Sequence, residues 1–414
     1  MSILIHSCNV FDSVTLETTS NKSILIEGSR ISRVEAGEIG GASADEIIDG
    51  SGCTVIPGLF NLHSHPQRRH ARFMGAHSPF RVGAAAVEAL PNAQRLLFAV
   101  QNCWTELAEE GVTTIRAAGS KDFLNIELRE VFDADIFRGP RIVASGPILA
   151  ITGGHGTRGI DGGMEVDGAD NVRRVVRQVL KRGADWIKLC VSGGLAGIHK
   201  GDHPSIVEFT PEEVRAAVEE AHKRRRKVMV HGMAAESVKM AVEAGVDCIE
   251  HGNLLDNEAI DMMARRNVSF VPTMSGIERV YERERDGGSA DIAEMLWEVI
   301  APQSKAVATC IERGILIGTG TDTLGSIRRE IEMLADCGMS NAQALSSATH
   351  GSAKILGLAG ESGHIAEGKR ADLLVVEGDP LTDLKALGHI REVICRGQCV
   401  TWEHLASSRA AKEA

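Results

Sequence analysis

No stretch of this sequence approaches the roughly 20 consecutive apolar residues that a membrane-spanning helix needs. The N-terminus, MSILIHSCNVFDS, also lacks the basic segment and long apolar core of a secretory signal peptide. The nine cysteines include no CxxC pair, and their odd number argues against a disulfide framework. Reduced thiols are typical of the cytosol, so we expect a cytoplasmic protein without a membrane partner.

A concentrated basic surface is missing too. The net charge is −11, and residues of both signs are mixed along the chain. Nucleic-acid-binding proteins present a dense positive face instead. The basic cluster HKRRRK, residues 222–227, comes at the end of a predicted helix, where cations complement the helix dipole. The sequence therefore predicts no nucleic-acid partner.

The composition supports a large core, because 43% of the 414 residues are hydrophobic and 24% are charged. From Gly58 onward, short apolar runs alternate with helical patterns. Most runs are continuous rather than alternating, as expected for strands that are buried on both faces. The predicted strands are residues 59–65, 112–119, 141–147, 185–194, 227–232, 247–252, 268–274 and 315–322.

Helix signals lie between these strands. Thr210 is a predicted N-cap, Pro211 takes the first helical position, and Glu213 completes a capping box. Residues 234–244 form a second helical pattern that stops at Gly245. Eight units of a strand followed by a helix predict an α/β fold, namely a (β/α)8 TIM barrel.

Both ends of the chain have a different texture. Residues 1–57 contain β-rich runs around glycine-marked turns, and residues 355–405 return to the same pattern. We expect the two segments to pair into one small β-sandwich beside a metal-binding barrel formed by residues 58–354. The polar residues 406–414 are predicted to be a flexible tail.

Ionisable residues recur where the predicted barrel strands end, which is where such barrels carry their chemistry. His63 and His65 are two apart on the first strand, so their side chains project to the same side. Burying an isolated charge or imidazole in an apolar run costs free energy. Six such residues on five strands therefore favour a shared metal site. The predicted ligands are His63, His65, Lys188, His231, His251 and Asp322.

Imidazole and carboxylate ligands suit zinc or a similar divalent cation. Lys188 is different, because a protonated amine cannot bind a metal. It could act as a nucleophile, or as a structural cation paired with Asp322. Alternatively, its neutral amine could take up carbon dioxide, and the resulting carbamate could bridge two metal ions.

The pattern HxH, Lys, His, His and Asp resembles the amidohydrolase superfamily, as does the closing segment GKRADLLVVEGDPL. The segments ITGGHG, GADWIKLCVSGG and AVEAGVDCIEHG are similar to the branch that contains imidazolonepropionase-like proteins and Xaa-Pro and Xaa-Arg dipeptidases. Phenylurea and thiocarbamate hydrolases are similar to the same branch. The resemblance covers nearly the whole chain.

This resemblance implies a role for each ligand. His63, His65 and Asp322 would hold the more buried metal, His231 and His251 would hold the other, and carboxylated Lys188 would bridge them with a hydroxide. Some relatives use one metal, so both stoichiometries stay open. The resemblance also implies a homo-oligomer.

The implied reaction is hydrolysis of an amide-type C–N bond in a small molecule by a metal-activated hydroxide, with Asp322 transferring the proton to the leaving nitrogen. A dipeptide-like or N-acyl amino acid substrate is the first expectation. A urea, carbamate or cyclic amide is the alternative, and an ester or lactone is a further one. A non-catalytic metal-binding barrel, or an assembly subunit that keeps the barrel, is the hypothesis from a different class.

Several residues near the predicted rim carry weaker predictions. Met233 stands where the dipeptidases have a second histidine after strand 5, which affects the expected substrate rather than the chemistry. His155 could polarise the scissile carbonyl, or could be an ordinary loop residue. Tyr281 could belong to a lid with a break at residues 287–288, or to ordinary helix packing. Candidate carboxylate-binding residues, unless solvated, are Arg68, Arg69 and Arg72.

Overall fold

The computed structural model describes residues 1–40, 43–68, 90–157, 162–195, 198, 201–323 and 325–400. It contains a barrel of parallel strands and a separate sheet that both ends of the chain build, which confirms the predicted fold class. Within these ranges, none of the helices combines the length and apolar composition needed to cross a bilayer.

The separate sheet begins with five strands at the N-terminus. They are β1 (Ser2–Asp12), β2 (Glu17–Glu27), β3 (Arg30–Ala36), β4 (Glu46–Asp49) and β5 (Cys53–Pro57). The strands of the barrel region follow as β6 (Leu59–Ser64), β7 (Val112–Ala117), β8 (Arg141–Ala144), β9 (Ile148–Ala150), β10 (Met164–Glu165), β11 (Trp186–Cys190), β12 (Lys227–Ala234), β13 (Cys248–Leu254) and β14 (Ser269–Val271). The chain then returns to the first sheet with β15 (Leu373–Glu377), β16 (Ile390–Cys395) and β17 (Gln398–Cys399).

Helices cover the outside of the barrel. The described ones are α1 (Asn92–Glu110), α2 (Leu124–Asp133), α3 (Ala169–Lys181), α4 (Pro211–Lys223), α5 (Ala235–Ala244), α6 (Asn257–Arg266), α7 (Met274–Gly287), α8 (Ala290–Ile300), α9 (Gln303–Glu312), α10 (Ile327–Asp336), α11 (Asn341–Ser346) and α12 (Ser352–Leu356). The capping box predicted at Thr210 and Glu213 is present at the start of α4. The helix α5 ends at Gly245, whose φ of 94° gives the predicted stop.

Parallel pairing runs continuously around most of the barrel. Strand β6 pairs with β7 and β7 with β8, while β9, β11, β12, β13 and β14 pair in that order. Strands β8 and β9 are two halves of the third barrel strand, which is interrupted at Gly146 (φ 71°). The N–H of Asp185, just before β11, donates to the carbonyl of Ala144 at 2.7 Å, which joins the two halves to the next strand.

The predicted eighth strand, residues 315–322, closes the barrel through single bridges instead of a regular ladder. Ile317 bridges Phe270 and Asp322 bridges Ser64, both in parallel register. Backbone hydrogen bonds from Leu62 to Thr319 and from Asp322 to His63, each 2.7 Å, complete the closure. The segment is therefore at the predicted position, and it brings Asp322 beside β6.

The barrel strands bury both faces, which explains their continuous apolar runs. On β11, Ile187 and Leu189 face the core shared with the surrounding helices. Trp186 instead joins Leu62 and Met229 in a smaller cluster inside the barrel. The polar residues of the candidate site lie further along the same strands. The interior cluster therefore forms an apolar layer beneath the site.

The chain-end sheet holds its own core and also covers the barrel. Strand β5 pairs antiparallel with β15, so the first and last parts of the chain meet in one sheet. On β15, Leu373 and Val375 belong to the core of this sheet, whereas Leu374 and Val376 belong to the barrel core. The predicted domain boundaries after residues 57 and 354 stay predictions, and residues 406–414 lie outside the described part of the chain.

Candidate active site

Four histidines from three barrel strands meet at the rim formed by the strand C-termini. His63 lies in β6 and His65 follows it, His231 lies in β12, and His251 lies in β13. The ring of His63 is 5.2 Å from that of His65 and 4.7 Å from that of His251, centroid to centroid. The rings of His231 and His251 are 4.5 Å apart. All four side chains are buried and form one cluster.

Asp322 adds a carboxylate to the histidine cluster. Its Oδ1 lies 3.5 Å from Nε2 of His65 and 4.0 Å from Nε2 of His63. One ligand atom from each of His63, His251 and Asp322 falls within 4.8 Å of the others. The structure thus brings the five predicted imidazole and carboxylate ligands to one end of the barrel.

The backbone is in the left-handed region at three residues of this rim. The φ values are 75° at His251, 54° at Thr273 and 52° at Asp322. Non-glycine residues rarely adopt this region, and such strain concentrates at functional sites. At His251 it has a direct effect, because Glu250 and His251 are consecutive and yet both contact His63. A regular strand would point them to opposite faces.

Hydrogen bonds fix which nitrogen of each ring faces the cluster. Nδ1 of His63 donates to Glu250 at 2.6 Å, and Nδ1 of His65 faces the carbonyl of Gly119 at 3.3 Å. Nδ1 of His251 lies 2.7 Å from the Thr273 hydroxyl, which itself donates to a carbonyl and so accepts from the ring. In all three rings Nδ1 is the nitrogen that faces the orienting partner, so Nε2 is on the side of the cluster. His231 has the opposite orientation. Its Nε2 faces the carbonyl of Gly193 at 3.2 Å, so Nδ1 is the ring nitrogen without this contact. Such partners are typical of metal-binding histidines.

Burial sets the protonation of the cluster. It lowers the pKa of His63, and it lowers the pKa of His65, His231 and His251 well below the ordinary value. The neutral ring is the form that binds a metal. Burial would raise the pKa of Asp322, but its contacts with His63 and His65 and the positive charge of Arg68 hold this pKa below its ordinary range. The donor set is therefore ready for a divalent cation at neutral pH.

Lys188 lies in the middle of β11 and is buried inside the barrel. Among the described residues its Nζ has no hydrogen-bond partner. Burial lowers the pKa of Lys188, and the negative charge of Glu250 is the largest influence that raises it. A buried amine without a partner is costly as an ammonium, so the environment favours the neutral form.

Glu250 contacts the histidine cluster and Arg116 contacts Glu250, and the sequence analysis missed both residues. Glu250 accepts from Nη2 of Arg116 at 2.6 Å and from His63 on its other oxygen. Burial raises the pKa of Glu250, but Arg116 and His63 outweigh this and lower it to about 2. The available signal was a charged residue in each of two apolar runs, VTTIRAAG and DCIEHG.

The weaker predictions have different outcomes. The His155 ring stacks on His231 at 4.8 Å, so it lies at the cluster. Nη1 of Arg68 is 2.6 Å from the Thr323 hydroxyl and 3.5 Å from Asp322. The ring contact of Tyr281 is with Trp297 on the adjacent helix α8. Arg69 and Arg72 lie outside the described residues.

The site and fold together define a class of hydrolase: a (β/α)8 barrel with imidazole and carboxylate ligands at its C-terminal rim. The model of the amidohydrolase family matches residues 54–400, so this chain belongs to the amidohydrolase family. Members of this family act on C–N bonds and generally bind divalent metals. The protein is accordingly a hydrolase of amide-type C–N bonds.

Three similar proteins have described activities. Ochratoxinase from Aspergillus niger is 28% identical over 357 residues, which cover 80% of this chain and 72% of that protein. A Xaa-Pro dipeptidase, crystallised with methionine in its active site, is 32% identical with a TM-score of 0.84 over 97% of this chain and 100% of that one. A prolidase complexed with N-methylphosphonate-L-proline is 27% identical with a TM-score of 0.86 over the same shares.

Proposed function

We propose that the protein is a metal-dependent amidohydrolase that cleaves a dipeptide-like or N-acyl amino acid substrate. The observation that carries this proposal is the cluster of four buried histidines beside the Asp322 carboxylate. The named activities of the Xaa-Pro dipeptidase, the prolidase and ochratoxinase support the substrate class.

The donor set fits one or two zinc ions. His63, His65 and Asp322 would hold one ion, and His231 and His251 the other. Carboxylated Lys188 would bridge them, which agrees with its buried amine lacking a partner among the described residues. A divalent cation bound here would polarise the substrate carbonyl and lower the pKa of water to about 7.

Asp322 would handle the proton of the reaction. Its carboxylate lies at the rim beside His63 and His65 and is ionised at neutral pH. It would accept the proton of the attacking water as the new C–O bond forms, and would return that proton to the leaving nitrogen as the C–N bond breaks. No covalent intermediate with the protein is needed.

Arg68 is the proposed recognition group for a substrate carboxylate. Its guanidinium reaches the Thr323 hydroxyl beside Asp322, so it lies next to the reaction centre. A guanidinium pairs with carboxylates through two parallel hydrogen bonds. We keep Arg69, Arg72 and Tyr281 as further predicted substrate contacts, and His155 as a predicted catalytic group.

We also propose that the protein works in the cytoplasm as a homo-oligomer. None of the nine cysteines, each within the described residues, forms a disulfide bond. Cysteines outside disulfides agree with a reducing compartment. Sedimentation of the purified protein measures its oligomeric state directly.

The test combines metal analysis with a substrate screen. We expect one to two equivalents of zinc or a similar metal, and hydrolysis of members of a panel of dipeptides, N-acyl amino acids, aryl ureas and lactones. Asp322→Asn should reduce turnover by at least about 100-fold without unfolding the protein. Full hydrolysis by metal-free protein, or near-normal kcat in Asp322→Asn, would contradict the proposal.

A further inference from the structure

The loop after strand β11 holds His155 at two points. The backbone N–H of His155 donates to Oε1 of Glu208 at 2.7 Å, and Nδ1 of its ring lies 2.5 Å from Oδ2 of Asp202. Asp202 is 3% exposed, and the His155 ring stacks on His231 at an interplanar angle of 23°. Asp202 does not belong to the predicted ligand set, so its pairing with His155 calls for its own explanation.

The two oxygens of Asp202 have different partners. Oδ1 accepts the backbone N–H of Gly194 at 3.1 Å, while Oδ2 faces the His155 ring. A carboxylate only accepts hydrogen bonds, so the hydrogen between the two side chains is on Nδ1. Nε2 is then the nitrogen of His155 that is left to meet other groups. The same arrangement orients the histidine in hydrolases that pair histidine with aspartate.

Gly193 and Gly194 leave the space that the side chains of His155 and Asp202 occupy. A Cβ at Gly194 would overlap Cε1 and Nε2 of the His155 ring, and a Cβ at Gly193 would lie 2.5 Å from Oδ1 of Asp202. Neither glycine has a positive φ, so close approach and not backbone conformation is the reason for glycine here. Glycine at 194 therefore leaves room for the His155 ring in this position.

We propose that Asp202 is a positioning residue that holds His155 with Nε2 towards the substrate, and that Gly194 leaves the room the ring needs in this position. The inference rests on the proposed hydrolase function. It makes the His155 ring, which stacks on His231, a second catalytic group beside Asp322. In this role Asp202 acts through His155, and it is not one of the predicted metal ligands.

Asp202→Asn tests the hydrogen-bond direction. The Gly194 N–H requires an acceptor, so the amide oxygen of the new side chain should take the place of Oδ1, and its NH2 should then face Nδ1 of His155. The hydrogen on the ring is expected to move to Nε2. NMR of zinc-loaded protein carrying 15N-histidine measures this, with the signals of His155 identified by their loss in His155→Gln. A wild-type ring protonated on Nε2 alone, or an unchanged ring in Asp202→Asn, overturns the inference.

A double-mutant cycle tests the route of action. On a substrate from the panel, we expect Asp202→Asn and His155→Ala each to lower kcat about 100-fold, with KM changed by less than about 3-fold. The double variant should lose no more than His155→Ala alone, because Asp202 acts through that ring. Zinc content should stay at the wild-type level. Additive losses would show that Asp202 acts independently and would overturn the inference.

Two controls separate positioning from stability. Asp372→Asn changes another buried aspartate that accepts a backbone N–H, far from the site, and should keep wild-type kcat. Gly194→Ala should lower kcat as Asp202→Asn does, whereas Gly360→Ala, where a Cβ meets open space, should not. Equal activity of the Gly194→Ala and Gly360→Ala proteins would contradict the role of Gly194.

The two proposals fail in different ways. If wild-type protein hydrolyses no compound of the panel, the proposed function fails, and the positioning role is withdrawn with it even where NMR shows the Asp202 bond. If hydrolysis is found but Asp202→Asn has wild-type kcat, the inference alone fails.

Discussion

At the scale of single residues, the Glu250 carboxylate connects the barrel interior to the candidate metal site. One oxygen accepts from Arg116, whose guanidinium lies 4.6 Å above the ring of Trp186 and also bonds the Leu62 carbonyl. The other oxygen accepts from His63. A buried charge is tolerated when it is paired in this way. The pairing also fixes the orientation of the His63 ring.

Removing the charge of Glu250 should therefore weaken metal binding. We expect Glu250→Gln to lower zinc affinity about 10- to 100-fold, because His63 and Arg116 bond different oxygens of Glu250 and one of these becomes an NH2 group that cannot accept. Competition with a zinc chelator measures this, with unfolding followed in parallel because Arg116 loses its countercharge. Glu330→Gln is the matched control, since Glu330 is equally buried and accepts the backbone N–H groups of Met274 and Ser275. Equal zinc affinity of both variants would contradict the orienting role.

Lys188 allows a separate test of the carbamate. Lys188→Ala should abolish most activity, and short carboxylic acids such as acetate should restore part of it by replacing the carbamate oxygens. Lys227→Ala is the comparison, because Lys227 lies over Trp186 and bonds the Ile355 carbonyl, away from the rim. Acids should not increase its activity. A bare amine at Lys188 in crystals of the zinc-loaded protein would argue against the carbamate.

At the scale of secondary-structure elements, helix α1 is bound to strand β6 by a buried carboxylate. Glu106 accepts from the Asn61 amide and from the Ser64 hydroxyl, each at 2.9 Å. Burial raises the pKa of Glu106 to about 7, although these two hydrogen bonds lower it. Asn61 and Ser64 flank His63, so this contact supports the strand that carries two predicted ligands.

The raised pKa of Glu106 predicts a pH-dependent effect. Between pH 4.5 and about 7 the folded protein keeps a proton that the unfolded chain has lost, so the contribution of Glu106 to stability falls as pH rises. Glu106→Gln has no titrating group at this position. Between pH 5 and pH 8 its free energy of unfolding should therefore rise by up to about 3 kcal/mol relative to that of the wild type. Urea denaturation across this range measures the gain. Glu109→Gln, exposed on the same helix, should show a constant difference from wild type; a constant difference for Glu106→Gln as well would refute the argument.

The elements were predictable where one local pattern decides them. The barrel strands were recognised as apolar runs, because strands that are buried on both faces consist mostly of apolar residues. The start of α4 was recognised as a capping box, because the residues that satisfy a helix end follow a fixed spacing. The break between β8 and β9 was not predictable, since it depends on the turn at Gly146. Nor was the bridge-only closure by residues 315–322, which depends on contacts with both neighbouring strands.

The residues of the site were predictable where they lie at the C-terminal ends of barrel strands, because these ends meet at one rim. That reasoning gathered His63, His65, His231, His251 and Asp322, and the structure brings them together. Strand alternation could not reveal that Glu250 and His251 both reach His63, because the left-handed φ of His251 breaks the alternation. The pairing of Asp202 with His155 spans 47 positions and has no local signal.

At the scale of the whole molecule, strand β15 joins two hydrophobic cores. Leu374 and Val375 are adjacent and fully buried, one in the barrel core and one in the core of the chain-end sheet. We therefore expect the two cores to unfold together. Leu374→Ala and Val375→Ala should each lower the free energy of unfolding by about 2–4 kcal/mol and should shift one common transition.

Tryptophan fluorescence and far-UV circular dichroism during urea denaturation measure this coupling. Glu377→Ala, exposed on the same strand, should leave the transition almost unchanged. A separate early transition in Val375→Ala alone would show that the chain-end sheet unfolds independently, and would support the boundary predicted after residue 354.

The pairing of β5 with β15 also affects how the protein is made. The Thr54 hydroxyl donates to the carbonyl of Gly378, 324 positions later, so this contact cannot form until most of the chain has left the ribosome. At about 5–20 residues per second, the N-terminal strands wait roughly 15 seconds to a minute for their partner. During that time an apolar strand edge is exposed to other nascent chains. Biosynthesis of this protein should therefore depend on chaperones that cover such an edge until translation is complete.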